Sequence, residues 1–180
     1  MKTVALFGGS FDPPHLGHIA IVEALEKLDF LDKIIIVPAF LNPFKTETFA
    51  TPQQRYSWLK SLFEERDKVI VDDYELQQKR KVASIETVEY LLEKFEKVYL
   101  VIGADNLASL HKWERFEVLD SLVTFIVASR DKISIADKFM RLDINESISS
   151  SALRKEMNKN KIPKKCAEKI AQHYKENNAK

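Results

Sequence analysis

Short apolar runs rich in β-branched residues alternate along this chain with amphipathic stretches of helical period, and that alternation restricts the fold more than any other feature. Thr3–Phe7, the run Lys33-Ile-Ile-Ile-Val-Pro38, Val69–Asp72, Val98–Ile102 and Val123–Ala128 read as strands. His18–Leu28 places Ile19, Val22, Leu25 and Leu28 on one helical face. Thr51-Pro52 reads as an N-cap followed by proline at the first helical position, opening a helix to about Glu65. Ser84 caps a helix running to Lys94, and Ser149 and Pro163 open the last two helices. Strands alternating with helices at this spacing predict an α/β, Rossmann-like fold, a parallel sheet covered by helices on both faces. With 180 residues and no internal repeat or Gly/Ser linker, the expectation is one domain spanning 1–180.

Charge and cysteine content remove several classes of function. Lys and Arg number 28 against 27 for Asp and Glu, so no net field draws a polyanion, and no nucleic-acid partner is expected. Phosphate recognition must then be local, built from a few placed groups. The lysine-rich run 159–165 reads as a solvated connection between helices. Cys166 is the one cysteine, which excludes an intramolecular disulfide, and it reads as an inert position on a terminal helix. His111 and His173 are isolated and read as surface positions. No apolar stretch approaches the ~20 residues that span a bilayer, and the N-terminal run is too short for a signal peptide. A cytoplasmic protein with no membrane partner is expected. Residues 39–50 are aperiodic and long for a connection: either their phenylalanines pin the loop to the core, or the loop covers a substrate.

The chemistry concentrates where the first strand meets the first helix, in Gly8-Gly9-Ser10-Phe11-Asp12-Pro13-Pro14-His15-Leu16-Gly17-His18. Ligands of open α/β sheets bind at the carboxyl ends of the strands. Gly8 and Gly9 let backbone approach a ligand there, and the helix start offers free amides to a phosphate. Neither common phosphate-loop pattern is present. Instead, His15 and His18 lie three residues apart, which on a first helical turn puts both imidazoles on one face, with Gly17 keeping that face open. Metal ligation is the rival reading of a histidine pair, but Asp12 is the sole nearby carboxylate and no third ligand follows at a zinc spacing. No metal site in the protein itself is expected.

The segment Gly9–His18 resembles the signature of the H-x-G-H nucleotidyltransferases, whose two histidines hold the phosphates of ATP and stabilise the transition state as pyrophosphate leaves. The resemblance implies those roles for His15 and His18, with Gly8, Gly9, Ser10 and Phe11 also at the ATP. Further on, Ile148-Ser149-Ser150-Ser151-Ala152-Leu153-Arg154 is similar to the family's second element, which binds ATP phosphates. A capped helix start and a planar guanidinium suit that task, and Arg154 joins the histidines as a candidate catalytic residue. Ile102-Gly103-Ala104-Asp105-Asn106-Leu107 resembles the Gly-x-Asp-x-Leu segment of nicotinate-nucleotide adenylyltransferases, placing Gly103 and Asp105 at the nucleotide. Trp113 matches a tryptophan that stacks on the pyridine ring in that family.

The departures from the family pattern lie on the acceptor side. Where Pro-Pro-His-Lys is usual the chain reads Asn42-Pro43-Phe44-Lys45, which keeps Lys45 as a phosphate-facing candidate. A Ser-Tyr-Thr stretch becomes Val82-Ala83-Ser84, which keeps a hydroxyl at Ser84, and Arg-Pro-Gly becomes Arg130-Asp131-Lys132. The resemblance implies transfer of the adenylyl group of ATP to nicotinate mononucleotide, with Mg²⁺ arriving on the nucleotide. An acid-selective pocket is expected from donors at Ser84 and the amides of Lys112-Trp113, with no acidic residue in either stretch. Nicotinamide mononucleotide or phosphopantetheine is the alternative acceptor, and a non-catalytic nucleotide sensor is the alternative class. A synthetase fragment fails on length and on its missing basic surface. Oligomeric state and regulation leave no mark in the sequence.

Overall fold

The computed structural model describes residues 2–146 and 148–178. Six parallel strands form one sheet: β1 (Thr3–Gly9), β2 (Lys33–Pro38), β3 (Val69–Val71), β4 (Lys97–Gly103), β5 (Val123–Ala128) and β6 (Met140–Leu142). Their order is β3-β2-β1-β4-β5-β6, the doubly wound arrangement in which the connections turn opposite ways on either side of the β1–β4 pair. Leu6 lies in register with Ile35 on one side and Leu100 on the other.

The strands read as continuous apolar runs because helices cover both faces. Alternate residues divide between two cores. Val4, Leu6, Ile35, Val37, Leu100 and Val127 pack under Ile85, Val88 and Leu91 of helix α4 (Ser84–Leu92). Ala5, Phe7, Ile34, Ile36 and Val101 face Val22 and Leu25 of α1 (Leu16–Glu26) and Leu59 and Phe63 of α2 (Pro52–Phe63). Each aliphatic side chain so buried contributes about 1.5–3 kcal/mol. A third cluster joins Trp58 of α2 to Leu153 of α6 (Ser150–Lys155) and to Cys166, Ile170 and Tyr174 of α7 (Lys164–Asn178).

Several boundaries differ from the sequence expectation for identifiable reasons. The first helix begins at Leu16 because His15 serves as its N-cap, a residue type that propensity does not suggest. Ala83 occupies the N-cap of α4, so Ser84 is its first helical residue and not its cap. Thr51 caps α2 as expected, in a reciprocal box with Gln54. Helices α3 (Tyr74–Gln78) and α5 (Phe116–Leu122) and the three-residue β6 are too short to carry a period, and the nine-residue segment Ala104–Lys112 winds as a 3-10 helix, outside the α-helical period. No helix among the described residues is long and apolar enough to cross a membrane.

Candidate active site at the carboxyl ends of the strands

The sequence places two histidines on one face, and the structure stacks them. Their ring centroids are 3.8 Å apart with planes inclined by 20°. His15 has extended backbone, φ −147°, and its Nδ1 accepts from the Gly17 amide at 3.1 Å. His18 Nδ1 accepts from the His15 amide, also at 3.1 Å. A backbone amide can only donate, so both Nδ1 atoms are unprotonated and the ring proton of each neutral histidine sits on Nε2. Burial, with a smaller push from the Arg130 charge, lowers His15 to a pKa of about 4. Burial, then His15 and Arg130, holds His18 well below the usual histidine value. At neutral pH the pair is therefore two neutral Nε2–H donors of fixed tautomer.

The surrounding residues are shaped to this pair. A Cβ at Gly17 would stand 2.8 Å from His15 Cε1, so Gly17 seats the His15 ring and does not merely keep a face open. Phe11 adopts a left-handed backbone, φ 50°, a conformation costing of order 1 kcal/mol for a non-glycine residue. Its buried ring packs against His18 at 4.8 Å and Phe7 at 5.4 Å, which offsets that cost. A Cβ at Gly9 would press on the Phe11 ring at 3.3 Å.

Helix α6 docks on the same loop. Ser149 caps it, accepting from the Ala152 amide, and Ser150 Oγ donates to the Pro13 carbonyl at 2.8 Å. Sequence reasoning assigns Arg154 a fork free for phosphate. The structure shows one arm, Nη1, donating to the Asp12 carbonyl at 2.5 Å, while Nη2 reaches Ser151 Oγ at 3.3 Å. The guanidinium also lies over the Phe49 ring, 4.6 Å from its centroid. Lys45 is half-buried, and its pKa is lowered first by burial and then by the neighbouring Arg154 charge, with Asp12 opposing. Arg130 pairs with Asp105 at 3.5 Å. A 510 Å³ cavity opens beside these groups, lined by Arg130, Ile148, Ser149, Lys159 and Lys161 among others.

A second cavity, of 240 Å³, lies between the ends of β1 and β4. Gly8, Gly9 and Gly103, which the sequence assigns to the ATP, line it together with Ser84 and Trp113, which it assigns to the acceptor. Lys45, the phosphate-facing candidate, lies outside this cavity, while its neighbour Phe44, 66% exposed, lines it. Two expectations need correction here. The amide of Trp113 is already bonded to the Leu110 carbonyl at 3.1 Å and is not free for a carboxylate, and the indole Nε1 is buried and without a partner. The wall is also not free of acids, because Glu75 of α3 and Glu114 both line it. Among the described residues no group of three or more His, Cys, Asp or Glu side chains gathers as a metal site.

Comparison with known proteins places this geometry. The cytidylyltransferase-like family model matches residues 6–156. A protein of Sulfurimonas denitrificans named probable nicotinate-nucleotide adenylyltransferase is 54% identical over 180 residues, covering 100% of this chain and 99% of its own. The chain belongs to the nicotinate-nucleotide adenylyltransferase family. A Campylobacter fetus protein of the same name is 46% identical, with 98% of this chain and 99% of that one covered. The structure of Plasmodium falciparum nicotinic acid mononucleotide adenylyltransferase complexed with NaAD superposes with a TM-score of 0.76 at 20% identity, over 97% of this chain and 98% of that one. That likeness extends the family's fold to the whole described sheet.

Sequence reasoning missed the polar frame behind the family signature. Asp12 is buried and accepts from the Phe49 and Ala50 amides at 2.8 and 3.0 Å and from the Tyr174 hydroxyl. Arg55, 0% exposed, donates to the carbonyls of Ala50, Ser10 and Phe40. His173 is not a free surface residue, since its ring bonds the Phe49 carbonyl and Gln54. Loop 39–50 is thus held by polar contacts at its ends, while Phe44 and Phe49 stay exposed. A buried arginine in the middle of a helix was the available signal, in that Arg55 falls on the same face as Trp58, Leu59 and Phe63.

Proposed function

We propose that this chain transfers the adenylyl group of Mg²⁺-bound ATP to the phosphate of nicotinate mononucleotide, giving nicotinate adenine dinucleotide and pyrophosphate. The observation that carries the reading is the stacked histidine pair, with both Nδ1 atoms held by amides and both Nε2–H groups left to donate. An acceptor phosphate oxygen attacks the α-phosphorus, the bond from that phosphorus to the bridging oxygen breaks, and pyrophosphate departs with the electron pair. The attacking phosphate is already ionised at neutral pH, so alignment and charge stabilisation suffice without a strong base. His15 and His18 donate to the developing negative charge, and Arg154 and Lys45 add fixed positive charge beside them.

The remaining residues divide between the two substrates. Gly8, Gly9, Ser10 and Phe11 bring backbone to the nucleotide, Gly103 and Asp105 flank its sugar, and Ile148, Ser149 and Ser150 present the start of α6 to its phosphates. The nicotinate ring enters the 240 Å³ cavity against Trp113. Ala83 carries no side-chain acceptor, so the first amides of α4 at Ser84 are open to a carboxylate. Phosphorylated metabolites of this kind are kept inside the cell, which supports a cytoplasmic location.

Pyrophosphate release from ATP tests the reading, with nicotinate mononucleotide, nicotinamide mononucleotide and phosphopantetheine offered separately. The acid is expected to lead the amide in kcat/KM by at least about tenfold, because the amide turns its NH₂ toward donors. Trp113→Ala should weaken both mononucleotides and leave ATP binding nearly intact. A preference for the amide or for phosphopantetheine overturns the acceptor and keeps the reaction; no release with any acceptor overturns the reaction.

A further inference from the structure

Among the described residues, Glu75 is the one buried carboxylate that borders the acceptor cavity, and it has no evident task in adenylyl transfer. It is 8% exposed and lines the cavity with Ser84, Trp113 and Gly103. Its Oε1 accepts a 2.6 Å hydrogen bond from the buried Thr87 hydroxyl, which fixes the carboxyl against α4. Among the described residues no lysine, arginine or histidine pairs with it. The charge that acts on it is that of another acid, Glu86, which is itself committed to Arg80 at 2.6 Å and to the Ala83 amide. An uncompensated carboxyl in an apolar wall is costly unless it stays neutral or meets a cation.

The acceptor of the proposed reaction supplies such a cation. Joining ribose to the ring nitrogen leaves a pyridine ring with a permanent positive charge, balanced in the nucleotide by the carboxylate at the opposite edge. The amides at the α4 start suit that carboxylate. The face of Trp113 suits the ring, as an aromatic face suits any delocalised cation.

We infer that Glu75 is the counter-ion of the pyridinium ring and a specificity-determining residue for cationic heteroaromatic acceptors. The inference rests on the acceptor assigned above and adds what the cavity reads: ring charge as well as ring shape. Thr87 holds the carboxyl in place, and Trp113 and Glu75 bracket the charged ring while Ser84 receives its substituent.

Comparing nicotinate mononucleotide with its 1,4-dihydro form tests this directly. The two have nearly the same shape and the same carboxylate, but the dihydro ring is neutral. The unmodified protein should favour the charged ring in kcat/KM by at least about tenfold, a difference of ~1.4 kcal/mol. In Glu75→Gln the KM for nicotinate mononucleotide should rise by about tenfold, with kcat and the KM for ATP changed far less, and the preference between ring forms should collapse. Thr87→Val, which loosens the carboxyl but keeps its charge, should retain the preference. Equal loss with both ring forms in Glu75→Gln would assign the residue to packing and overturn the inference. So would an unmodified protein that turns over both forms alike, a result that needs no variant to fold. A protein inactive with nicotinate mononucleotide but active with another acceptor would remove the underlying assignment instead.

Discussion

The phosphate end and the acceptor end of this site are built in different ways. At the phosphate end the functional groups are set by backbone: two imidazoles fixed by amides, a helix start capped by serine, and an arginine anchored on a carbonyl. At the acceptor end a cavity is walled by residues from β1, β4, α3, α4 and the loop after β2, among them Trp113 and the buried Glu75, which has no cationic partner among the described residues. The first arrangement tolerates little change, because each donor direction depends on neighbouring backbone. The second can vary its lining without disturbing the sheet. The departures from the family pattern at Phe44 and Val82–Ser84 fall in that second wall.

The sharpest way to break this contrast is at His18. If its Nε2–H stabilises charge only in the transition state, His18→Ala should lower kcat by at least ~100-fold, with a smaller effect on ATP affinity. Pre-steady-state and steady-state rates with saturating ATP would measure it. A variant with unchanged kcat and only a raised KM would move His18 from catalysis to ground-state binding.

How legible each end is in the sequence follows from the same contrast. Residues 8–18 and 148–154 are contiguous, so the order of residue types alone suggests their chemistry, and the strand runs that carry them are buried on both faces and hence conspicuous. Asp12, Arg55 and Tyr174 are 43 to 162 residues apart, and only the packing of α2 and α7 against the signature loop brings them together. Glu75 sits on a five-residue helix with no usable period, and nothing local distinguishes it from a solvated acid. Histidine is an uncommon N-cap residue, so residue type alone does not single out His15 for the cap.

Arg154 tests how far the phosphate end is structural as well as catalytic. From sequence alone its replacement by lysine would cost activity and spare stability. Because Nη1 holds the Asp12 carbonyl and the guanidinium lies on Phe49, both should fall. We expect Arg154→Lys to lose roughly tenfold or more in kcat/KM, since lysine cannot reproduce the planar fork. Unfolding free energy should drop by about 1 kcal/mol, the typical worth of one such hydrogen bond. Activity loss with no change in stability would mean that the carbonyl contact is dispensable.

A further expected effect, at the acceptor end, separates the two regions by the sign of their pH dependence. Burial raises Glu75 to a pKa of about 7, with the Thr87 hydrogen bond opposing and Glu86 adding to the rise. Between the free carboxyl value of ~4.3 and that point, the folded protein holds a proton that the unfolded chain has released. Stability conferred by the neutral carboxyl is therefore lost as pH rises through this window. The histidine pair has the opposite slope: His15 and His18 are held neutral, so stability is lost as pH falls below ~6.5, down toward the His15 value of about 4. In the unmodified protein the two slopes overlap and partly cancel. Comparing it with Glu75→Gln removes the histidine contribution, which both proteins share. The variant should gain on the parent between pH 5 and pH 8 by on the order of 1–2 kcal/mol, less than the full shift because water reaches the cavity. Denaturant unfolding at both pH values measures the difference. A pH-independent difference would mean that Glu75 ionises normally in the free protein, and the unfavourable charge would then have to be compensated before any substrate arrives.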